Sequence, residues 1–208
     1  PAMIGGLVVE ETVPGGPGWG ILQSGDVLLS VNGERMQSFV PLEAVLDDNV
    51  GGTVSVDVLR GGETLSFTLG VDDLHALSPD EYVEFGQGVF HPVSYQQARN
   101  HSIEPKGIYV ASSGYAFRRS GISKGAVVTM INGEDVNTAE AFFHALEKVA
   151  HGSRVPIKYH PVQDAEDVRV GVLVADRLWY GLRWCRRDAG EAPGTWPCTE
   201  GKEAAPAG

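Results

Sequence analysis

Apolar residues in this chain fall into short runs separated by glycine-rich breaks. Leu7 to Val9 and Ile108 to Val110 are two such runs. Each is followed by a glycine-rich loop and a second run, Val27-Leu28-Leu29-Ser30-Val31 or Val127-Val128-Thr129-Met130-Ile131. Runs of this length, rich in Val and Ile and bounded by glycine, predict strands. Each second run ends at Asn-Gly, a dipeptide suited to a type I′ hairpin because both central residues must take positive φ. A helix is predicted next in both places. Phe142, Phe143, Leu146 and Val149 recur at the helical period, with Asn137 and Glu140 as a candidate capping box and Gly152 placed to end the helix. In the earlier copy, Leu42, Val45 and Leu46 form the stripe, Ser38 is the candidate cap and Pro41 sits in the first turn, where its missing N–H is tolerated. Two strands then close each copy: Thr53 to Leu59 with Thr64 to Leu69, and Val155 to Tyr159 with Val168 to Val174.

The two copies align with an offset of about 100 residues, which sets Gly25 over Gly125, Asn32-Gly33-Glu34 over Asn132-Gly133-Glu134, and Leu42 and Leu46 over Phe142 and Leu146. The expected fold class is α+β, with two domains that are each a small, partly open β-barrel capped by a helix. Leu77-Ser78-Pro79-Asp80 combines a break with a helix-start signal, so the expected domains are residues 1–77 and 78–176. Periodicity stops after Asp176, and 177–208 reads as a tail or the start of a following domain. Its last part, from Asp188, is expected to be mostly disordered.

Composition narrows the function classes. The chain has 208 residues, 42% hydrophobic and 21% charged, which excludes disorder along its whole length. Sixteen Lys and Arg against 27 Asp and Glu leave a net charge of −11, which repels a phosphate backbone, so no nucleic-acid partner is expected. No run approaches the ~20 apolar residues a bilayer core requires, so no membrane span is expected either. Cys185 and Cys198 both lie near the C-terminus and are not expected to frame a core, which favours a reducing compartment. The chain opens on Pro1 with no leader pattern, so its addressing information is not expected to be legible here.

Leu22-Gln23-Ser24-Gly25-Asp26-Val27-Leu28-Leu29-Ser30-Val31-Asn32-Gly33 resembles the core signature of PDZ domains, in the strand order of HtrA/Deg serine proteases. His91-Pro92-Val93-Ser94-Tyr95-Gln96-Gln97-Ala98-Arg99-Asn100 is similar to the PDZ-like second domain of the large eukaryotic members. Leu42 to Asp48, Asp73-Leu74-His75 and Trp179-Tyr180 match the same family at the same spacings. The resemblance covers residues 4 to 196. It implies a non-catalytic regulatory region whose partners are C-terminal or unfolded peptide segments and a protease domain in cis, with homo-oligomers and nuclear or cytoplasmic residence as further implications. The family's Gly-Asn-Ser-Gly-Gly nucleophile motif does not occur in this chain, and the first PDZ domain is expected to be truncated at its N-terminus. The alternative is a free-standing PDZ adaptor without a protease domain.

PDZ domains bind by β-augmentation: a peptide pairs with an exposed strand edge beside a helix, and backbone N–H groups hold its carboxylate. In the second copy, Gly86, Gln87, Gly88, Val89 and Phe90 occupy the loop-and-strand position, and Ala139 and Phe143 are placed to wall the pocket. Pro92 shortens the ladder, and Gly25-Asp26 has become Gly125-Ala126, so packing or scaffolding competes with peptide binding as the role of this unit. Gly121-Ile122-Ser123-Lys124-Gly125 matches a nucleophile-elbow pattern, but a strand is predicted after Ser123 where an elbow needs a helix. The six histidines show no His-Glu-x-x-His spacing and the cysteines are thirteen apart, so no metal site and no cofactor are expected. The cluster from Arg183 to Arg187 around Trp184 is either an arm for an acidic partner or a solvated edge that packs one tryptophan.

Overall fold

A computed structural model describes residues 6–188, 190 and 194–202 of the chain. They form two compact units, one of residues up to Leu77 with Ala98–Glu104, the other of Ser78–Gln97 with the chain from Pro105 onward.

The first unit contains β1 (Leu7–Val8), β2 (Val27–Val31), β3 (Glu34–Arg35), α1 (Phe39–Asp47), β4 (Thr53–Arg60) and β5 (Glu63–Gly70). Its antiparallel sheet runs β1-β2-β4-β5, with β3 folded back on β2. Val31, Met36, Val54, Val56 and Val58 form its core. Asn32 and Gly33 take φ of 50° and 81°, the left-handed pair a type I′ turn needs. Buried Asp26 is bound by both arms of Arg60, Nε to Oδ1 and Nη2 to Oδ2, each at 2.7 Å. The Gln23 N–H also donates to Asp26, at 2.9 Å.

The second unit contains β6 (Glu81–Phe85), β7 (Gly88–Pro92), α2 (Tyr95–His101, which runs across the division between the units), β8 (Ile108–Ser112), α3 (Gly114–Arg119), β9 (Ala126–Ile131), β10 (Glu134–Asp135), α4 (Ala139–Glu147), β11 (Arg154–Pro161), β12 (Arg169–Val174), β13 (Leu182–Arg186) and β14 (Cys198–Glu200). The sheet order is β12-β11-β9-β8-β7-β6-β13-β14, with β10 on β9, and neither sheet closes into a barrel. Phe85, Phe90, Phe117, Phe142 and Phe143 are buried at its centre. The ion pair of the first unit has no counterpart: Ala126 lies opposite Pro161 where the first unit has Asp26 and Arg60.

Four expectations are corrected. Ser78-Pro79-Asp80 leads into strand β6 and no helix, because Val83 and Phe85 alternate inward with Tyr82 and Glu84 outward, a period of two. The cap of α4 is Thr138, whose Oγ1 accepts from the Ala141 N–H at 3.1 Å, one residue beyond the expected Asn137. Within the region read as a tail or the start of a following domain, two described segments continue the second sheet, β13 paired with β6 and β14 with β13, while the disorder expected from Asp188 falls in part on 189, 191–193 and 203–208, outside the described residues. The two cysteines do join the framework, as a disulfide directly across β13 and β14.

Candidate functional site

β7 has no free edge. One side pairs with β8, and on the other β6 runs antiparallel, with Val83 opposite Phe90, Glu84 opposite Val89 and Phe85 opposite Gly88. Helix α4 lies across β7, β6 and β13. A peptide adding to β7 beside α4 would therefore occupy the place that β6 holds. The expectation of an exposed augmentation edge is corrected by this pairing.

The seven candidate groove residues are brought together, but around the protein's own strands. Gly86 and Gln87 form the two-residue turn joining β6 to β7, with φ of 54° and 64°. The Gly86 carbonyl accepts from the Tyr115 N–H at 2.9 Å and the Ala116 N–H at 3.3 Å, which ties the turn to the start of α3. A Cβ on Gly86 would lie 2.5 Å from Ala116 Cβ, and one on Gly88 would lie 2.6 Å from the Phe90 ring. One on Gly114 would lie 2.2 Å from the Gly88 nitrogen. The three glycines interlock, and close packing of α3 on the hairpin accounts for them without a bound carboxylate. Val89 is half-buried, and Phe90 is buried with its ring 5.1 Å from that of Phe142. Ala139 and Phe143 on α4 are buried, and the Phe143 ring lies 5.8 Å from that of Trp184 on β13.

Among the described residues, nothing comparable covers α1 of the first unit. No residue of α1 is buried, its stripe Leu42, Val45 and Leu46 only partly covers the core, and Phe39 and Val40 are 67% and 75% exposed. α4 buries Ala139, Phe142, Phe143, Ala145 and Leu146. The contrast follows from β6, β7 and β13, which have no equivalents among the described residues of the first unit.

The other candidates resolve as structure. Ser123 lies in the loop before β9, its carbonyl accepting from the Ala126 N–H at 3.2 Å, and a strand follows it as expected. The basic cluster is engaged along β6: Arg183 pairs with Glu84, Arg186 lies 3.4 Å from Glu81, and Trp184 Nε1 donates to Glu81 at 2.9 Å. Arg186 also lies over the Trp184 ring, 4.6 Å from its centroid. The strand behaviour of β6 was legible in the alternation of Val83 and Phe85; its place in the groove was not, because register with β7 and β13 is a long-range property.

Comparison with known proteins agrees with this architecture. Residues 76–152 match the family described as PDZ-like domain, and residues 8–60 match the PDZ domain family. The chain is 35% identical over its full length to a pro-apoptotic serine protease NMA111 of Coccidioides immitis, of which it covers 20%. It is 38% identical over 177 residues, 85% of this chain and 16% of the relative, to Protease Do-like 7 of Arabidopsis thaliana. A Yarrowia lipolytica pro-apoptotic serine protease NMA111 is 36% identical over 96% of the chain. The chain spans about a fifth of the length of such relatives. The chain carries two PDZ domains, and over this tandem region it is similar to these pro-apoptotic and Do-like proteases.

Proposed function

We propose that this chain is a non-catalytic regulatory region of an HtrA-type serine endopeptidase, recruiting extended or C-terminal protein segments and modulating a protease domain in cis. Within it the second unit is held closed by a resident strand. The carrying observation is β6, antiparallel on β7 and beneath α4, in the pairing that an augmenting peptide makes. Gly86 to Phe90, Ala139 and Phe143 serve this resident strand as they would serve a peptide.

Releasing β6 exposes Val83 and Phe85, both buried, at a cost of about 3 to 6 kcal/mol in apolar burial alone. An incoming segment must offset that cost before it gains affinity, which reduces apparent binding by about two to four orders of magnitude. Val83→Ala weakens β6 without removing its hydrogen bonds. Extended peptides, titrated by calorimetry, are expected to bind the Val83→Ala chain and not the wild type at micromolar concentration. Wild-type binding at β7 that leaves the β6 hydrogen bonds intact would contradict the resident-strand reading.

A further inference from the structure

On the outward face of the second sheet one row of side chains crosses four strands. Val89 of β7 stands opposite Glu84 of β6, Glu84 opposite Arg183 of β13, and Arg183 opposite Glu200 of β14. With the segment Trp179-Tyr180-Gly181 this row lines a cavity of about 500 Å³, within the size range of small-ligand sites. Arg183 is already committed to Glu84. Glu200, on its other side, forms no ion pair with any described residue, so the row carries a surplus negative charge.

The aromatic wall is held in place by its backbone. Leu178 and Trp179 N–H groups point to Asp176 Oδ1 at 3.2 and 3.4 Å, and the Tyr180 ring lies 6.3 Å from that of Tyr115. Trp179 itself remains 81% exposed. A largely exposed tryptophan lining the same cavity as a carboxylate without an ion-pair partner among the described residues offers a π surface and an anion together. That combination favours a cation, and among side chains the guanidinium suits it best because it is planar, weakly hydrated and able to stack and donate at once.

We propose that this cavity binds an arginine side chain of a partner protein, the guanidinium stacking on Trp179 and donating to Glu200. The cavity shares Glu84, Phe85 and Gln87 to Val89 with the β6–β7 hairpin and so rests on β6 being in place; loss of β6 pairing would show in the β6 amides, whereas failure of arginine binding alone would leave them unchanged.

The test is an NMR titration of the ¹⁵N-labelled full chain with Nα-acetyl-arginine amide, against its neutral isostere Nα-acetyl-citrulline amide and against Nα-acetyl-lysine amide. The arginine compound is expected to shift the Trp179 indole and Gly181 amide signals saturably in the millimolar range, and citrulline to leave them unmoved. Glu200→Gln lies on an exposed edge strand, and its unchanged remaining spectrum controls for folding. It should weaken arginine binding roughly two- to fivefold, the worth of one exposed ion pair. Trp179→Ala should weaken it further. Equal shifts with citrulline, undiminished binding by Glu200→Gln, or no movement of these two signals would overturn the proposal, and lysine binding as tightly as arginine would overturn the guanidinium assignment.

Discussion

Phe143 of α4 and Trp184 of β13 face each other with ring centroids 5.8 Å apart and planes tilted by 38°, so the side chain placed to wall a peptide pocket is sealed by a strand of the same unit. Tilted aromatic pairs at this distance contribute about 0.5 to 1.5 kcal/mol beyond area burial. Trp184 is further fixed by its hydrogen bond to Glu81 on β6, which links the sealing strand to the resident one.

Burial separates α4 from α1. Phe142, fully buried beside Phe90 and Phe117, should cost about 3 to 5 kcal/mol when truncated to alanine. Leu42 of α1, which the sequence aligns with Phe142, is only partly covered, so Leu42→Ala should cost about 1 to 2 kcal/mol. Urea unfolding of both variants, followed by probes in each unit, checks the difference. Equal costs would contradict the account of α1 as an uncovered helix.

The Asp26–Arg60 pair should make the first unit sensitive to acid. Hydrogen bonds from Arg60, opposed by burial and helped by the Gln23 N–H, hold the Asp26 carboxyl below the usual carboxylate range. A depressed folded-state pKa adds stability above the unfolded value, about 3.9, and that stability is lost as pH falls through the folded value. The gap in stability between wild type and Asp26→Asn should therefore be largest near neutrality and narrow below about pH 4. Arg60→Met should destabilise the first unit at pH 7 by leaving the buried Asp26 carboxylate unpaired, though by less than breaking a fully buried pair because the Arg60 side chain keeps some contact with water. A gap that stays constant down to pH 2 would remove Asp26 from this role.

Gly86 should tolerate no side chain. Gly86→Ala meets both a left-handed backbone and Ala116 Cβ at 2.5 Å, whereas Gly133→Ala meets the backbone penalty with open space around it. The expected costs are about 3 kcal/mol or more for Gly86→Ala and about 1 to 2 kcal/mol for Gly133→Ala, read from thermal or urea unfolding. A smaller loss at Gly86 would return the loop to the role of an open anion cradle.

Reducing Cys185–Cys198 should loosen β14 first. The bridge spans 13 residues, and loops of this size contribute about 3 kcal/mol. Hydrogen exchange under reducing conditions should show Cys198 to Glu200 losing protection while β8 and β9 keep theirs. Simultaneous loss across the whole sheet would mean that the bridge supports the core itself.

Both Asn-Gly turns and the inward face of α4 were legible in the sequence because each rests on spacing within a few residues. Leu182 to Arg186 was not, since the strand Leu-Arg-Trp-Cys-Arg shows no clean alternation and gains its place only by pairing with β6 about 100 residues earlier. The disulfide was hidden for the same reason: thirteen residues of separation reveal nothing until β13 and β14 are set in register. Gly86, Gln87 and Gly88 were singled out as a candidate carboxylate loop. Whether such a loop cradles an anion or packs on a helix depends on Gly114 and Ala116, which only the fold brings alongside.

Native-state hydrogen exchange of β6 tests the resident strand most directly. Paired with β7 on one side and β13 on the other, its backbone N–H groups should be protected to the same degree as those of β8 and β9, opening only when the second unit unfolds. Exchange of the Val83 and Phe85 amides at loop-like rates, with β8 and β9 still protected, would show instead that the groove beside α4 is open in solution and that the second unit is not closed by its own strand.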